Sequence, residues 1–389
     1  MNPRPLSGIK VLDLGQGVAA PYCGLLLAQY GATVIKVEPI LGDWMRGLGE
    51  SWDQQTAYSI YYNLGKKGIA IDLKDAEGLE IVLQIATDCD VVLENFRPGV
   101  VDRLGIGFQK IKALNPKVLY ASVSGFGQTG QNANRPGSDT VIQAFSGLIS
   151  VNKDKDGMPQ RVGTTIVDAI TGLCTFQAVS MALFGGVDEA QFLDLSLLQS
   201  AGALLAPNIL DFYLNKGPAI ALNAPAGTYR TSDGWIAVTL VKEENFEALC
   251  HVIERPQLIN DKRFSNFKLR ATNLGAIRDL IQQCLQLKTT ENWVKLFNDS
   301  GILASPINSF GDWLEDVHVK KTEAYSNILQ PEVGDIPITR LPGGLELEGV
   351  APGVGSDTRE ILMELGYSDS EIKRLSSRGI VLVPELQNE

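Results

Sequence analysis

Residues 9–38 read IKVLDLGQGVAAPYCGLLLAQYGATVIKVE. The apolar, β-branched run at 9–14 predicts a strand. The Leu- and Ala-rich run from about 20 to 30, closed by Gly31, predicts a helix, and TVIKVE at 33–38 predicts a second strand. Strand, helix and strand at this spacing make a βαβ unit with parallel pairing. Gly15-Gln16-Gly17-Val18-Ala19-Ala20 fits G-x-G-x-x-A, and Glu38 closes the second strand, where a dinucleotide fold wants an acidic residue for the ribose hydroxyls. Taken alone, the motif says NAD. Two features count against it. Pro21 at the first helical turn adds nothing to pyrophosphate binding. The chain has only two histidines, His251 and His318, both in its second half, and no evident hydride-transfer chemistry. A Tyr-Lys or Lys base keeps an NAD-dependent oxidoreductase open as an alternative.

The same alternation continues outward. A short extended run at 69–73 precedes a helix over 75–87, a strand over 90–93 and the loop ENFRPG at 94–99. Two short helices follow, near 99–104 and 108–114, and then a strand at 118–124 that runs into GFGQTG. Residues 139–150 read as helical. Residues 168–184 form a longer helix, apolar nearly all round and therefore expected to be buried. A strand at 190–195 and a helix over 196–215 come next. The Pro-, Ala- and Gly-rich segment KGPAIALNAPAG (216–227) marks a domain boundary. Beyond it, 228–231 and 235–240 flank Ser232-Asp233-Gly234 as a hairpin, and a helix pair is expected at 356–365 and 368–377. The pattern predicts an α/β domain over 1–220, a smaller α+β domain over 227–320 and a return segment over 321–389 that completes the first.

Composition bounds the function. At 389 residues the chain exceeds one ordinary core. A net charge of −11 argues against nonspecific nucleic-acid binding, although a few placed cations and helix N-termini suffice for an anionic ligand. The cysteines, Cys23, Cys89, Cys174, Cys250 and Cys284, are widely separated and form no C-x-x-C pair, which predicts buried free thiols in a reducing compartment rather than a zinc or redox site. The opening MNPRPLSGIK has no apolar signal region, and no apolar stretch reaches the ~20 residues of a membrane span. A soluble cytoplasmic enzyme is the expectation, with no membrane partner.

The run VLDLGQGVAAPYCGLLLAQYGATVIKVEP (11–39) resembles the opening of the class III coenzyme A transferases of the CaiB/BaiF type, which include formyl-CoA transferase. Further segments match in the same order: NLGKKGIAIDLKDAEG (63–78), DVVLENFRPGVVDRLG (90–105), NPKVLYASVSGFGQTG (115–130), QAFSGL (143–148), RVGTTIVDAITGL (161–173), FLDLSLLQSA (192–201), GTYRTSDGWIAV (227–238) and REILMELGYSDSEIKRL (359–375). Each piece is modest, and the ordered set is specific. The resemblance implies a Rossmann-like large domain with a parallel sheet, a smaller domain, and a homodimer whose chains interlock like links. It also implies transfer of CoA from an acyl-CoA donor to a small carboxylic acid, with the thioester as substrate and no permanently bound cofactor.

By resemblance, Asp168 is the catalytic nucleophile. The residues alone give a weaker argument: an Asp before a long apolar helix reads first as an N-cap, and a helix N-terminus favours its anion. The inferred cycle passes through an aspartyl anhydride and an aspartyl-CoA thioester, with glycine-rich backbone expected to hold the oxyanions. The resemblance makes Gln16 a CoA-binding residue and places Val18 and Ala19 at the pantetheine end, Ile71, Asp72, Leu73 and Lys74 around the adenine, and Asn95, Phe96 and Arg97 along the arm. It puts Arg103 on phosphate or pantetheine, and Arg135, Gly137 and Ser138 near the thiol. Read alone, Lys74 and Arg103 are surface cations, Phe96 is core and Asn95 is a turn residue.

Three departures from the family are informative. Pro39 stands where formyl-CoA transferase has a phosphate-binding basic residue, so Arg46, Lys66 or Lys67 is expected to substitute. The related α-methylacyl-CoA racemases carry a Gly-His-Asp run; here it is Gly137-Ser138-Asp139, and a serine cannot shuttle the racemase proton at neutral pH. The tetraglycine loop of formyl-CoA transferase is replaced by the short segment Asn223-Ala224-Pro225-Ala226-Gly227, which removes support for formyl or oxalyl specificity. A racemase-like enzyme and a non-catalytic CoA-binding protein complete the alternatives.

Overall fold

The computed structural model describes residues 4–154, 156–218, 223–343 and 346–384. Contacts divide the chain into two units. One runs to Ala206 and resumes at Glu323; the other is Pro207–Thr322. The expected boundary segment 216–227 lies partly outside the described residues, at 219–222.

The larger unit is built on a seven-stranded sheet. Its order across the sheet is Val381–Leu382, Lys67–Ile71, Thr33–Glu38, Lys10–Asp13, Val91–Glu94, Leu119–Ser124 and Gln191–Ser196. All neighbours pair in parallel except the Val381–Leu382 edge. Setting that edge aside, the strands follow the order 3-2-1-4-5-6 of a doubly wound fold, which reverses direction between the first strand and Val91–Glu94. The central strands are apolar on both faces because both are covered. Leu12, Ile69, Val92 and Tyr120 face helix Ala76–Thr87 and the C-terminal helices Thr358–Glu364 and Asp369–Ser377. Val11, Val34, Val91 and Leu119 face helices Ala19–Gln29 and Ile166–Gly185.

Four expectations change. Residues 139–150 are two helices, Asp139–Phe145 and Leu148–Val151, parted at Gly147, whose φ of 91° lies in the left-handed region open to glycine. Residues 196–215 are also two, Leu197–Leu204 and Ala206–Asn215. In a continuous helix the Pro207 ring would meet the carbonyl of Ala203. The long helix starts at Ile166, so Asp168 lies inside its first turn and Thr165 holds the cap position. This helix has 20 residues and is, among the described residues, the one long and apolar enough to cross a membrane. It is also far from fully buried: Val167, Thr171, Gly172, Thr175 and Val179 are covered, whereas Met181 is 60% and Phe184 90% exposed.

The smaller unit has a three-stranded antiparallel sheet, ordered Leu303–Pro306, Trp235–Thr239, Gly227–Arg230. Its core gathers Tyr229, Ile236, Phe264, Trp293 and Phe297. Arg270 is buried there between the rings of Phe246 and Phe267 and donates to the carbonyls of Ala224 and Phe264.

Candidate active site

Parallel strands put all their carboxyl ends on one edge of the sheet, and a doubly wound fold binds ligands there, where the strand order reverses. In this chain the reversal point is closed by a clasp. The Asn95 side chain accepts from the Gln16 amide at 2.8 Å and donates to the Gln16 carbonyl at 2.6 Å. The turn that presents Asn95 is fixed by Glu94, whose carboxylate accepts from the Phe96 amide at 2.8 Å. Burial pushes the Glu94 carboxyl up to about 7.

The Gly15-Gln16-Gly17 loop rests on buried charge. Lys66 donates to Asp13 at 2.7 Å and to the Pro21 carbonyl at 2.9 Å. Asp13 accepts from the Gly15 amide at 2.9 Å, and Lys36 donates to the Gly15 carbonyl and to Asp43. Asp43 in turn accepts from the amides of Gly17 and Met45. Glu38 grips Arg46 through two bonds of 2.7 and 2.8 Å. These six side chains carry three charges of each sign, and none is more than 6% exposed. Burial works against the Asp13 charge, but Lys66 and Lys36 outweigh it and hold the carboxyl below its ordinary range.

This network overturns two expectations. Arg46 and Lys66 cannot replace the missing phosphate cation, because both are sealed against carboxylates that would otherwise be orphaned; Lys67 is half-exposed and engaged by Glu360 and Glu364. Glu38 likewise cannot meet a ribose, since Arg46 occupies its carboxylate. The NAD reading loses its acidic residue.

Beside the clasp lies a cavity of about 330 Å³ lined by Gln16, Val18, Ala19, Trp44, Asn95, Phe96, Arg97, Val123, Ser124, Gly125, Gly137, Ser138, Asp168 and Leu197. Two close approaches shape it. Helix Ile166–Gly185 crosses Ala19–Gln29 at Gly172, where a Cβ would stand 2.9 Å from the Ala19 carbonyl oxygen and 2.8 Å from the Tyr22 side chain. One turn before Gly172, that crossing sets Asp168 beside Val18 and Ala19. Gly125 and Gly137 meet back to back: a Cβ on either would lie within 2.9 Å of the other's Cα.

Asp168 is pushed up to about 7 by burial and, secondarily, by the Asp139 carboxylate. The expectation that the helix end would favour its anion is therefore reversed. Asp139 occupies that end itself, accepting from the amides of Val167 at 2.7 Å and Asp168 at 3.2 Å.

Of the residues expected at the site, Gln16, Val18, Ala19, Asn95, Phe96, Arg97, Gly137, Ser138 and Asp168 line one cavity. Ile71, Asp72, Leu73, Lys74, Arg103 and Arg135 lie outside it. Ile71 is 1% exposed in the sheet core. Asp72 accepts from the Lys74 amide in a turn, Lys74 and Arg103 are exposed, and Arg135 lies over the rings of Phe126 and Phe145 at 5.5 and 5.6 Å. Sequence reasoning missed Trp44, Val123, Ser124, Gly125, Leu197 and the role of Asp139. The one sequence signal for Trp44 is its place after Gly42-Asp43, since Asp43 caps the short helix Trp44–Gly47 and so aims the ring at Gly17.

The profile of CoA-transferase family III matches residues 6–358. The chain belongs to that family. It is 31% identical to succinyl-CoA:glutarate CoA-transferase of Mus musculus over 97% of its own length and 90% of the relative's. It is 31% identical to succinate–glutarate CoA-transferase of Agrobacterium fabrum, over 93% and 96%. A CaiB/BaiF family protein from Brucella suis superposes with a TM-score of 0.82 at 29% identity, covering 94% of this chain and all of that one. The chain is a CoA-transferase that acts on an acyl-CoA and a carboxylate. The racemase alternative has Ser138 where it needs histidine.

Proposed function

We propose that CoA transfer proceeds through covalent intermediates on Asp168. The observation that carries this reading is a partly buried carboxylate with no cation partner among the described residues, set in the same cavity as Gln16, Val18, Ala19, Asn95 and Gly137. An Asp168 oxygen attacks the donor thioester carbonyl, the C–S bond breaks, and CoA leaves as thiolate from a mixed anhydride. The thiolate attacks the aspartyl carbonyl and expels the donor acid as carboxylate, leaving an aspartyl-CoA thioester. The acceptor carboxylate attacks that carbonyl and releases thiolate again. Attack of this thiolate on the acceptor acyl carbon of the second anhydride forms the new acyl-CoA and frees Asp168 as carboxylate. Gly125 and Gly137 line the same cavity, and their main-chain amides are the candidates to receive the oxyanions. Every covalent form of Asp168 is uncharged, so surroundings that disfavour its anion favour the intermediates.

The names of the similar proteins, with succinyl-CoA recurring as donor and glutarate, malate and citramalate among the acceptors, set the first panel of substrates for this chain. The test is acyl exchange read by mass spectrometry. Asp168→Ala should lose at least about 1,000-fold in rate and still bind CoA, and hydroxylamine added during turnover should leave a hydroxamate on Asp168. Full exchange by Asp168→Ala would sink the reading.

Two further proposals accompany it. A homodimer is supported by apolar surface on single helices: Met181 and Phe184 on Ile166–Gly185, and Ile209, Leu210, Phe212, Tyr213 and Leu214 on Ala206–Asn215, all more than half exposed. Light scattering should give twice the 42.1 kDa chain mass, and a monomer at micromolar concentration would refute it. A cytoplasmic location fits five cysteines that form no disulfide, four of them buried; tracking a tagged chain by fractionation checks it.

A further inference from the structure

We propose that Asp139 is a positioning residue of the transfer: its buried carboxylate fixes the main chain of the turn that carries Asp168 and occupies the helix end that would otherwise relieve the nucleophile's charge. This rests on the reading of Asp168 as nucleophile and adds the device that controls it.

The first amides of a helix have no partner within it and need a cap. Thr165 stands at the cap position of Ile166–Gly185 and makes no side-chain cap bond. The capping oxygen comes from a residue remote in sequence. Asp139 Oδ2 accepts from Val167 at 2.7 Å and from Asp168 at 3.2 Å. Its other oxygen, Oδ1, accepts from Gln143 Nε2 at 2.6 Å. Gln143 is fully buried and its own side-chain carbonyl accepts from the Val162 amide at 2.9 Å. One helix, Asp139–Phe145, thus holds the whole approach from Val162 to Asp168. That helix is anchored in turn by the Gly125–Gly137 contact just before it. Asp139 is 6% exposed and all its hydrogen bonds run toward the nucleophile's segment or its supports.

The charge follows from the same geometry. An acidic side chain in the first turn ordinarily gains from the positive pole of the helix. Here Asp139 already sits on that pole, so Asp168 meets a second carboxylate instead. Other elements do little to offset it. Helix Leu197–Leu204 carries no charged residue, Arg135 is committed to Phe126 and Phe145, and from the 94–97 turn Arg97 lines the cavity with an exposed side chain. Among the described residues no hydrogen bond is made to the Asp168 carboxylate. The resting anion is raised in energy, and each acyl or thioester adduct removes that repulsion.

The experiment measures kcat and kcat/KM against pH for full-length Asp139→Asn and Asp139→Ala, with the donor and acceptor that the parent uses best. Asparagine caps a helix as well as aspartate and carries no charge; its oxygen keeps the two amides, at the loss of the bond from Gln143. Its acid limb in kcat/KM should move down by about one pH unit or more, while KM for the acyl-CoA stays within about twofold. Alanine leaves both amides open, and kcat should fall by about tenfold or more, with asparagine restoring most of it. An acid limb for Asp139→Asn that superimposes on the parent's, or an alanine variant as active as the parent, overturns the proposal. Should the alanine variant not fold, the asparagine pH profile decides alone. If Asp168→Ala transfers CoA normally, the nucleophile reading fails first; if Asp168 is required and the acid limb of Asp139→Asn does not move, only this inference fails.

Discussion

Two aspartates stand near the carboxyl edge of the same sheet and have opposite fates. Asp13 ends the first strand, is completely buried, and stays ionised because Lys66, Lys36 and the Gly15 amide surround it. Asp168 opens the long helix, is less deeply buried, and is pushed up to about 7 by burial and, secondarily, by the Asp139 carboxylate, with no cation paired to it among the described residues to offset them. Depth of burial therefore does not decide reactivity. The local supply of countercharge does. Around the Gly-Gln-Gly loop the six buried charges pair in equal numbers, and Asp13, Lys36 and Asp43 pin its main chain. At Asp168 the neutralising partner is withheld, and the side chain has most to gain by becoming an ester-like neutral group.

The largest effect should come from breaking the satisfied region. Lys66→Met leaves Asp13 without its closest cation inside a dry core, a change that costs about 3–5 kcal/mol. Urea denaturation should show the midpoint fall with little change in slope. Asp13→Asn combined with Lys66→Met should recover part of the loss, because the pair is removed together. A Lys66→Met protein as stable as the parent would mean that water or Lys36 already neutralises Asp13.

Much of the scaffold was legible before the structure. The strand at 33–38 matches the expected residues, and the 75–87 helix starts one residue later because Asp75 is its cap. These segments have clear periods and strong end signals. Pro207 also announced the break in the 196–215 helix, and a pattern of continuous apolar residues concealed it. The burial expected for 168–184 failed for a physical reason: an apolar face states that something covers it, not that the same chain does. Within the site, Gly15 to Ala20 and the ENFRPG turn could be placed from their motifs, whereas Asp168 came from the family resemblance. Lys66 and Lys67 could not be told apart, since adjacent lysines differ only in which way the strand turns them. One is sealed on Asp13 and the other sits on surface glutamates. Asp139 was invisible as a cap because its partners lie 28 and 29 residues away.

The reactive region can be tested for the opposite sign. Burial and the Asp139 carboxylate push the native Asp168 carboxyl up to about 7, above its ordinary 3.8, so the folded protein should hold a proton that the unfolded chain releases. Stability then falls as pH rises from about 4 to about 7, and the loss is complete above that window. Asp168→Asn removes the ionisation. The variant should therefore melt with the parent near pH 4 and above it at pH 8, by about 1–3 kcal/mol or about 2–8 °C in Tm. It should gain this while losing transfer. A carboxylate that weakens its own fold is expected where its charged form is the disfavoured one, and Lys66→Met and Asp168→Asn should move stability in opposite directions at pH 8. If Asp168→Asn instead melts below the parent at pH 8, the carboxylate has a stabilising partner in solution and the contrast between the two aspartates disappears.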